Sequence, residues 1–330
     1  MIPDPPPQQR PAGGAPVSTR YRPGHPLALH EVLAGLRHGA GDPCWRRGAD
    51  GAHWWATSTP LGTGLLWIAA DAAAGEVEAT GWGAGAHWLV DGLPELLGGR
   101  DDPSGFEPAP EHPRLVAAWR ARPGYRIPRS RRVLDAFAAA CLEQRVTGVE
   151  AFAAWASLVR AHGQPAPGPP AGPGGPAHGM RTAPTAAAWR AVPSWTWLRA
   201  GVDVSRRGAL LAGAGAPHGL ERTLALAPDR VEPALRTLPG VGRWTAAETR
   251  QRAHGDPDAF SFDDFHVAKN VSWALTGEVL DDDGCAEVIA RYAGHRFRLQ
   301  RLLELDGARR PRRGPRITLP THSPQRLRRR

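Results

Sequence analysis

The spacing of apolar positions changes character about one third of the way along the chain. Between Tyr21 and about Gly105, short apolar runs alternate with turn residues, which is typical of a mixed α and β unit. The pattern predicts helices at 27–38 and 87–98 and strands at 53–58, 64–70 and 76–82. Because the strands follow one another through short turns, we expect a small antiparallel sheet flanked by helices.

From residue 106 onward, apolar residues recur at the helical spacing of i, i+3, i+4 and i+7. Three amphipathic segments open this region, and helical patterns continue to about Leu305: HPRLVAAWRAR, RRVLDAFAAACLEQRV and GVEAFAAWASLVRAHG. Segment 164–179 is too rich in Pro and Gly for a helix, so we predict a long flexible loop there. The predicted fold is mainly α, with an all-α domain over 106–306 preceded by a small α+β domain over 21–105.

Both ends of the chain differ in composition from these two domains. Residues 1–20 are rich in Pro, which predicts a disordered N-terminus. Residues 307–330 contain nine Arg and no acidic residue, and those nine charges equal the net charge of +9 of the 330-residue chain. The rest of the chain is therefore formally neutral, and the basic excess forms an Arg-rich tail.

The sequence also argues against a membrane-spanning, secreted, disulfide-rich or cysteine-ligated metal protein. No apolar run approaches the roughly 18 residues that a membrane-spanning helix needs, and the start MIPDPPPQQRPAGG lacks the apolar segment of a secretory signal. Cys44, Cys141 and Cys285 are too few and too scattered for a disulfide framework or a metal-binding spacing. We expect a cytoplasmic protein of the bacterial cytosol, with no membrane partner.

The strongest local signal is the stretch LPGVGRWTA at 238–246. Two glycines around one small apolar residue allow positive φ and expose consecutive backbone N–H groups. At the start of the following helix, such amides suit a phosphate group. The alternative is an ordinary helix–helix turn in which the glycines serve only geometry.

A second signal, FSFDDFHVAKNV at 260–271, follows one helix later. Asp264 stands where it can begin the next amphipathic helix, and capping alone would explain an Asp there. A carboxylate at a helix N-terminus is also favoured in its charged form. That charged form is what an oxocarbenium-like transition state needs beside it.

A helix, the L-P-G-V-G hairpin, a second helix and D-x-H-V together resemble the helix–hairpin–helix DNA glycosylases. Within that superfamily the chain resembles the 3-methyladenine DNA glycosylase II type. Arg243-Trp244 is similar to the G-R-W-T-A of that type, and Asp263-Asp264-Phe265 is similar to its D-D-Y. The motifs cover about 130–305, and the sheet-containing first domain extends the likeness to about residue 21.

The resemblance implies roles for individual residues. Asp264 becomes the catalytic carboxylate, and Trp244 stacks on the extruded base, although packing in the core is the alternative for Trp244. In LEQRVTG (142–148), Gln144 supports the flipped-out site and Arg145 fills the gap left in the base stack; taken alone, Gln144 would be a solvated polar residue. The residues expected at the DNA backbone are Pro239, Gly240, Val241, Gly242, Arg243 and Lys269. Arg206 and Arg207 are a further pair expected near phosphate, and a solvated surface position is the alternative for them.

The same resemblance bears on cofactors and on the nucleophile. We expect no cofactor and no iron–sulfur cluster, because a fourth cysteine is missing; a monovalent cation on the backbone carbonyls of Arg236, Leu238 and Val241 is a further expectation. Lyase-type relatives carry a lysine two residues after the last hairpin glycine, where this chain has Trp244. Water is therefore the expected nucleophile. One departure is Glu248, which replaces a second aromatic residue that is common in this type.

These points predict a monofunctional, monomeric DNA glycosylase. It would flip out alkylated purines of the 3-methyladenine and 7-methylguanine kind from duplex DNA and hydrolyse the N-glycosyl bond, leaving an abasic site. Two alternatives stay open: a glycosylase for deaminated or mispaired bases, and a non-catalytic helix–hairpin–helix DNA-binding protein. The Arg-rich tail is expected to add non-specific affinity for DNA.

Overall fold

The computed structural model describes residues 15–310, so predictions for residues 1–14 and 311–330, most of the Arg-rich tail included, lie outside the described residues. The strands are β1 (Val17–Tyr21), β2 (Trp45–Arg47), β3 (His53–Thr59), β4 (Gly62–Asp71) and β5 (Glu76–Trp82). The helices before residue 200 are α1 (Leu29–Ala34), α2 (Ala86–Asp91), α3 (Leu93–Leu96), α4 (Pro113–Arg120), α5 (Val133–Glu143), α6 (Gly148–His162), α7 (Ala186–Arg190) and α8 (Ser194–Arg199). Those that follow are α9 (Val204–Gly215), α10 (Pro217–Arg222), α11 (Pro228–Leu235), α12 (Arg243–Thr249), α13 (Val267–Thr276), α14 (Asp282–Ile289) and α15 (Arg296–Leu305). The prediction of a mainly α fold with one small antiparallel sheet is confirmed.

The five strands form a single antiparallel sheet in the order β1-β5-β4-β3-β2. The three strands predicted from the sequence are its centre, and β3 and β4 pair from His53↔Ile68 to Thr59↔Gly62. The two edge strands were not predicted. Edge strand β2 has only three residues, and it is held by Trp45, whose ring stacks on Trp55 with centroids 5.3 Å apart.

Strand β1 corrects the prediction that residues 1–20 are disordered. Val17 to Tyr21 pair with β5, and Val17 and Tyr21 pack on the apolar core. Alternate residues of β1 turn toward the core, so a short edge strand forms beside the Pro-rich stretch. The two predicted helices of this region also differ from the structure. Helix α1 is shorter than predicted and ends at Ala34, before Gly35, and the predicted helix 87–98 divides into α2 and α3 at Gly92.

The Pro- and Gly-rich segment 164–179 has one short 3₁₀ turn, Pro169–Ala171, and otherwise runs without helix. The prediction that this segment is a flexible loop is wrong in one respect, because it packs on the sheet. Ala166 and Ala177 are buried in one cluster with Trp54 and Leu65, and so is Met180, which directly follows the segment. Small residues let the backbone lie close to the aromatic face, which compensates for the lack of regular structure.

The sheet and the helices share one continuous apolar core. Polar contacts also cross between them: the Thr57 hydroxyl of β3 donates to Asp135 of α5 at 2.9 Å. Arg298 of α15 and Asp101 form an ion pair that is almost completely buried. Across residues 15–310, none of the helices combines the length and the apolar character that crossing a bilayer requires.

Candidate active site

The predicted hairpin joins α11 to α12, with its turn at residues 236–242. Gly240 has φ +78°, in the left-handed region that glycine favours, and a Cβ there would lie 3.0 Å from the Cβ of Ala209 on α9. The Val241 side chain is buried, while Pro239 and Gly242 are exposed on either side of it. Val241 and the partly buried Leu238 therefore anchor the turn on the core, and the turn presents its backbone outward.

Gln144 lies against this hairpin. Its Nε2 donates to the carbonyl oxygen of Gly240 at 3.0 Å and to the hydroxyl of Thr245 at 2.8 Å. The C-terminus of α5 is thus tied both to the turn and to the first residues of α12. A solvated Gln144, the alternative considered above, does not match these contacts.

Arg145 follows directly and is exposed, with φ +56°. Few residues other than glycine adopt that conformation. Asp263, next to the candidate carboxylate, has φ +67° and donates its backbone N–H to Asp282 at 2.7 Å. Two of the three described non-glycine residues with positive φ therefore lie beside residues expected to act on DNA, where strain often concentrates.

Asp264 lies just before α13, which begins at Val267, and its side chain reaches the start of that helix. Its Oδ1 accepts the backbone N–H groups of His266 at 2.7 Å and Val267 at 3.0 Å. Within residues 15–310, no hydrogen-bond partner is found for the other carboxylate oxygen, and the residue is half-buried. One oxygen is thus held by the helix, and the second can face a developing positive charge.

Two contacts hold the Asp264 segment against α12. The Ser261 hydroxyl donates to Glu248 Oε1 at 2.7 Å. The Arg243 guanidinium lies over the ring of Phe262, 4.7 Å from its centroid. The hairpin and the candidate carboxylate consequently belong to one connected unit, with Asp264 lying 22 residues after Gly242 in the sequence.

Asp263, Asp264 and Lys269 line an open cleft together with three aspartates at the start of α14, Asp281, Asp282 and Asp283. Lys269 Nζ donates to the carbonyl oxygen of Phe265 at 3.3 Å. The same nitrogen lies 4.4 Å from the centroid of the Phe265 ring. The ammonium is thus near Asp264 but already has partners. Its contact with DNA stays a prediction.

Trp244 is half-buried, and Glu248 follows one helical turn later on the same side of α12. Glu248 is buried, and burial raises the pKa of its carboxyl, with the nearby Glu143 carboxylate adding to the effect. Arg252 donates to Glu248 Oε2 at 2.7 Å. Position 248, which is aromatic in the resembled type, therefore holds a Glu that forms an ion pair with Arg252. The sequence did not predict this pair, because Arg252 belongs to none of the recognised motifs.

Arg206 corrects another expectation. It does not face solvent or a phosphate: its guanidinium is buried and donates to Asp203, to the Leu142 carbonyl at 3.0 Å and to the Gly201 carbonyl at 2.6 Å. These bonds fix the start of α9 to the end of α5. Trp197 is buried, and its ring stacks on that of Trp189 with centroids 5.7 Å apart, as a core residue does.

Comparisons with known proteins were made by sequence and by structure. No protein-family model matches the sequence, and none of the curated proteins matches it. The 3-methyladenine DNA glycosylase of Archaeoglobus fulgidus is similar in structure, with a TM-score of 0.68 and 18% identity over 88% of this chain and 98% of that one.

Two DNA-bound structures are also similar. The 8-oxoguanine glycosylase/lyase of Clostridium acetobutylicum, in complex with duplex DNA, has a TM-score of 0.63 at 11% identity over 84% of this chain and 91% of that one. MBOgg1 with a low-affinity DNA ligand has a TM-score of 0.63 at 14% identity over 88% and 94%. The chain therefore has the fold of the helix–hairpin–helix DNA glycosylases.

Proposed function

We propose that the chain is a monofunctional DNA N-glycosylase that excises alkylated purines from duplex DNA by hydrolysis and leaves an abasic site. The observation that carries the proposal is the placement of Asp264. One of its oxygens is bound by two amides at the start of α13, and its segment is fastened to the hairpin helix through Ser261 and Phe262.

In this proposal the hairpin holds one DNA strand through backbone amides near Gly240 and Gly242, without reading bases. Arg145 enters the stack as the damaged nucleotide leaves it, and Trp244 stacks on the extruded base. An alkylated purine carries positive charge, so an aromatic face attracts it. Asp264 stabilises the cation that forms on the sugar as the base departs, and water then adds to that sugar.

Proposed contacts of the hairpin also include a monovalent cation. The carbonyls of Arg236, Leu238 and Val241 would hold it, and the Leu238 carbonyl already accepts the Val241 N–H at 3.2 Å. A carbonyl oxygen has two lone pairs, so this bond leaves one for a cation. Such an ion would add positive charge near a bound phosphate.

A second candidate is excision of an oxidised purine, which the likeness to an 8-oxoguanine glycosylase/lyase favours. The fold is common to both substrate classes, so the choice depends on the base pocket. In this chain the buried Glu248–Arg252 pair changes the wall beside Trp244.

The test is a base-release assay on matched duplexes with 3-methyladenine, 7-methylguanine, hypoxanthine, ethenoadenine, uracil or 8-oxoguanine. We expect release of the two methylated purines and strand breakage only after alkali. If only another base were released, that base would define the substrate class instead of alkylated purines. Binding without release from any duplex would favour the non-catalytic DNA-binding alternative.

A further inference from the structure

A buried ion-pair cluster lies behind the candidate site. Arg252 bridges two carboxylates, donating from Nη1 to Glu248 at 2.7 Å and from Nη2 to Glu143 at 3.2 Å. His38 contacts the other oxygen of Glu143 at 3.2 Å. Although burial opposes its ionisation, Arg252 and His38 lower the pKa of the Glu143 carboxyl. None of these residues contributes to the proposed chemistry.

The hydrogen-bond direction at Ser261 is determined by its neighbours. Its hydroxyl oxygen lies 2.9 Å from Gln251 Nε2 and 3.1 Å from Gln300 Nε2, and both amides donate. Gln251 Nε2 also donates to the Ala259 carbonyl at 2.7 Å, which fixes its orientation. With both lone pairs used, the hydroxyl proton of Ser261 points to Glu248.

Glu248 is consequently an acceptor at both oxygens, one bound by Ser261 and the other by Arg252. Donation from a hydroxyl and a guanidinium favours the carboxylate form of Glu248. Glu248 is buried, and each of its oxygens already binds a residue of the protein. Its contribution to the site must pass through the residues that it holds.

Those residues belong to two parts of the site. Glu143 immediately precedes Gln144, which is bonded to the hairpin. Ser261 lies three residues before Asp264 and is bonded to Gln300 of α15 through its backbone N–H, at 3.1 Å. The cluster thus connects the end of α5 with the segment that carries the carboxylate.

We infer that Glu248 and Arg252 are positioning residues, which set Asp264 relative to Gln144 and the hairpin through Ser261 and Glu143. The effect on catalysis rests on the proposed function; the effect on the Asp264 segment does not. A misplacement of about 1 Å at a reacting group can cost on the order of 10²-fold in rate, so a link of this kind matters to excision.

Two variants and a matched control test the inference. Glu248→Gln leaves one acceptor where two donors converge, and Ser261→Ala removes the link to the Asp264 segment while Glu248 keeps Arg252. Asp135→Asn is the control, because Asp135 is also a carboxylate bonded to one hydroxyl, Thr57, and one arginine, Arg132. Asp135 lies eight residues before Glu143, toward the other end of α5.

The first measurement is hydrogen exchange of the free protein, without DNA, at the amides of His266 and Val267 that bind Asp264. We expect exchange about tenfold faster or more in Glu248→Gln and in Ser261→Ala, and unchanged in Asp135→Asn at conditions where all three remain folded. Wild-type exchange in both site variants, or equal acceleration in the control, would overturn the positioning role.

The second measurement is single-turnover base release at saturating protein. We expect a fall of about 10- to 100-fold in both site variants, no further fall in the double variant, and wild-type release in Asp135→Asn. A double variant whose loss is the product of the single losses would show that the two residues do not act through one link. If the wild-type chain releases no base, the proposed function fails, while hydrogen exchange still decides the positioning role.

Discussion

Gln144 Nε2 lies 3.0 Å from the carbonyl oxygen of Gly240, so the residue that directly follows α5 holds the turn of the hairpin. The same nitrogen also reaches Thr245, so one amide group secures both the turn and the helix that follows. The distance between the end of α5, which is proposed to act in base flipping, and the hairpin, which is proposed to bind phosphate, is therefore set within the free protein. Preorganisation of this kind lowers the cost of ordering a site on binding.

The first prediction concerns this amide. Gln144→Leu keeps the volume and removes both bonds, and each bond contributes about 1 kcal/mol to stability. We expect a lower free energy of unfolding and weaker binding of undamaged duplex, because the hairpin is no longer held. Urea denaturation and fluorescence anisotropy measure the two effects. Gln164→Leu, at an exposed position of the loop, is the control and should change neither.

Asp264→Asn is the second variant. An amide keeps an oxygen for the His266 and Val267 N–H groups but carries no charge, so the fold and the binding of lesion DNA should persist. Base release should fall by on the order of 10²–10³ or more. Asp263→Asn is the comparison, since Asn tolerates the positive φ of that position. Near-wild-type release by Asp264→Asn, with loss in Asp263→Asn, would move the catalytic role to Asp263.

Much of this site could be predicted because its signals are local. The glycines of the hairpin and Asp264, which precedes α13 and accepts the N–H of Val267, each act within a few residues of chain, where sequence and conformation are directly related. The helical region was likewise visible from its periodicity, which a buried helix face imposes on every turn.

Other features depend on contacts between distant segments, and the sequence does not show them. An arginine such as Arg206 is usually found at the surface, but one carboxylate and two carbonyl groups accept hydrogen bonds from its guanidinium inside the protein. Arg252 and Glu143 are 109 residues apart in the chain and meet only in the fold. The loop at 164–179 shows no helical or strand periodicity in its apolar residues. Its burial depends on the sheet face that it covers, which the local sequence does not indicate.

The two hairpin glycines should respond differently to substitution. Gly240→Val places a branched side chain at positive φ and against Ala209, so both stability and DNA binding should fall. Gly242 has φ −93° and open space around it, so Gly242→Val should fold normally and weaken binding only through the bulk added at the DNA face. Binding of damaged and undamaged duplexes should weaken alike. A loss confined to one lesion or one sequence would contradict contact through the backbone.

Lys269 should not form a covalent intermediate. It is the only lysine in the chain, and its ammonium is held between the Phe265 carbonyl and the Phe265 ring. Reduction with borohydride during base release should trap no protein–DNA adduct, and Lys269→Gln should retain single-turnover release. If Lys269 contacts a phosphate, the same variant should reduce the salt dependence of binding by about 0.9 in log–log slope. An adduct that disappears in Lys269→Gln would establish a lyase step instead.

Stability should decline on mild acidification because of two histidines. Burial lowers the pKa of His53 and of His254 from 6.5 to about 4, with nearby positive charges adding to the effect. Below pH 6.5 the unfolded chain binds protons at these rings that the folded chain does not bind until about pH 4, so the free energy of unfolding falls across this window as pH decreases. Urea denaturation at pH 7.5, 6 and 5 measures the decline. The variant His53→Gln/His254→Gln should show a shallower decline than the wild type, whereas His218→Gln, at an exposed position, should match the wild type. An equally steep decline in the double variant would assign the acid sensitivity to other groups, among them His30, His112 and His295, whose pKa burial also lowers.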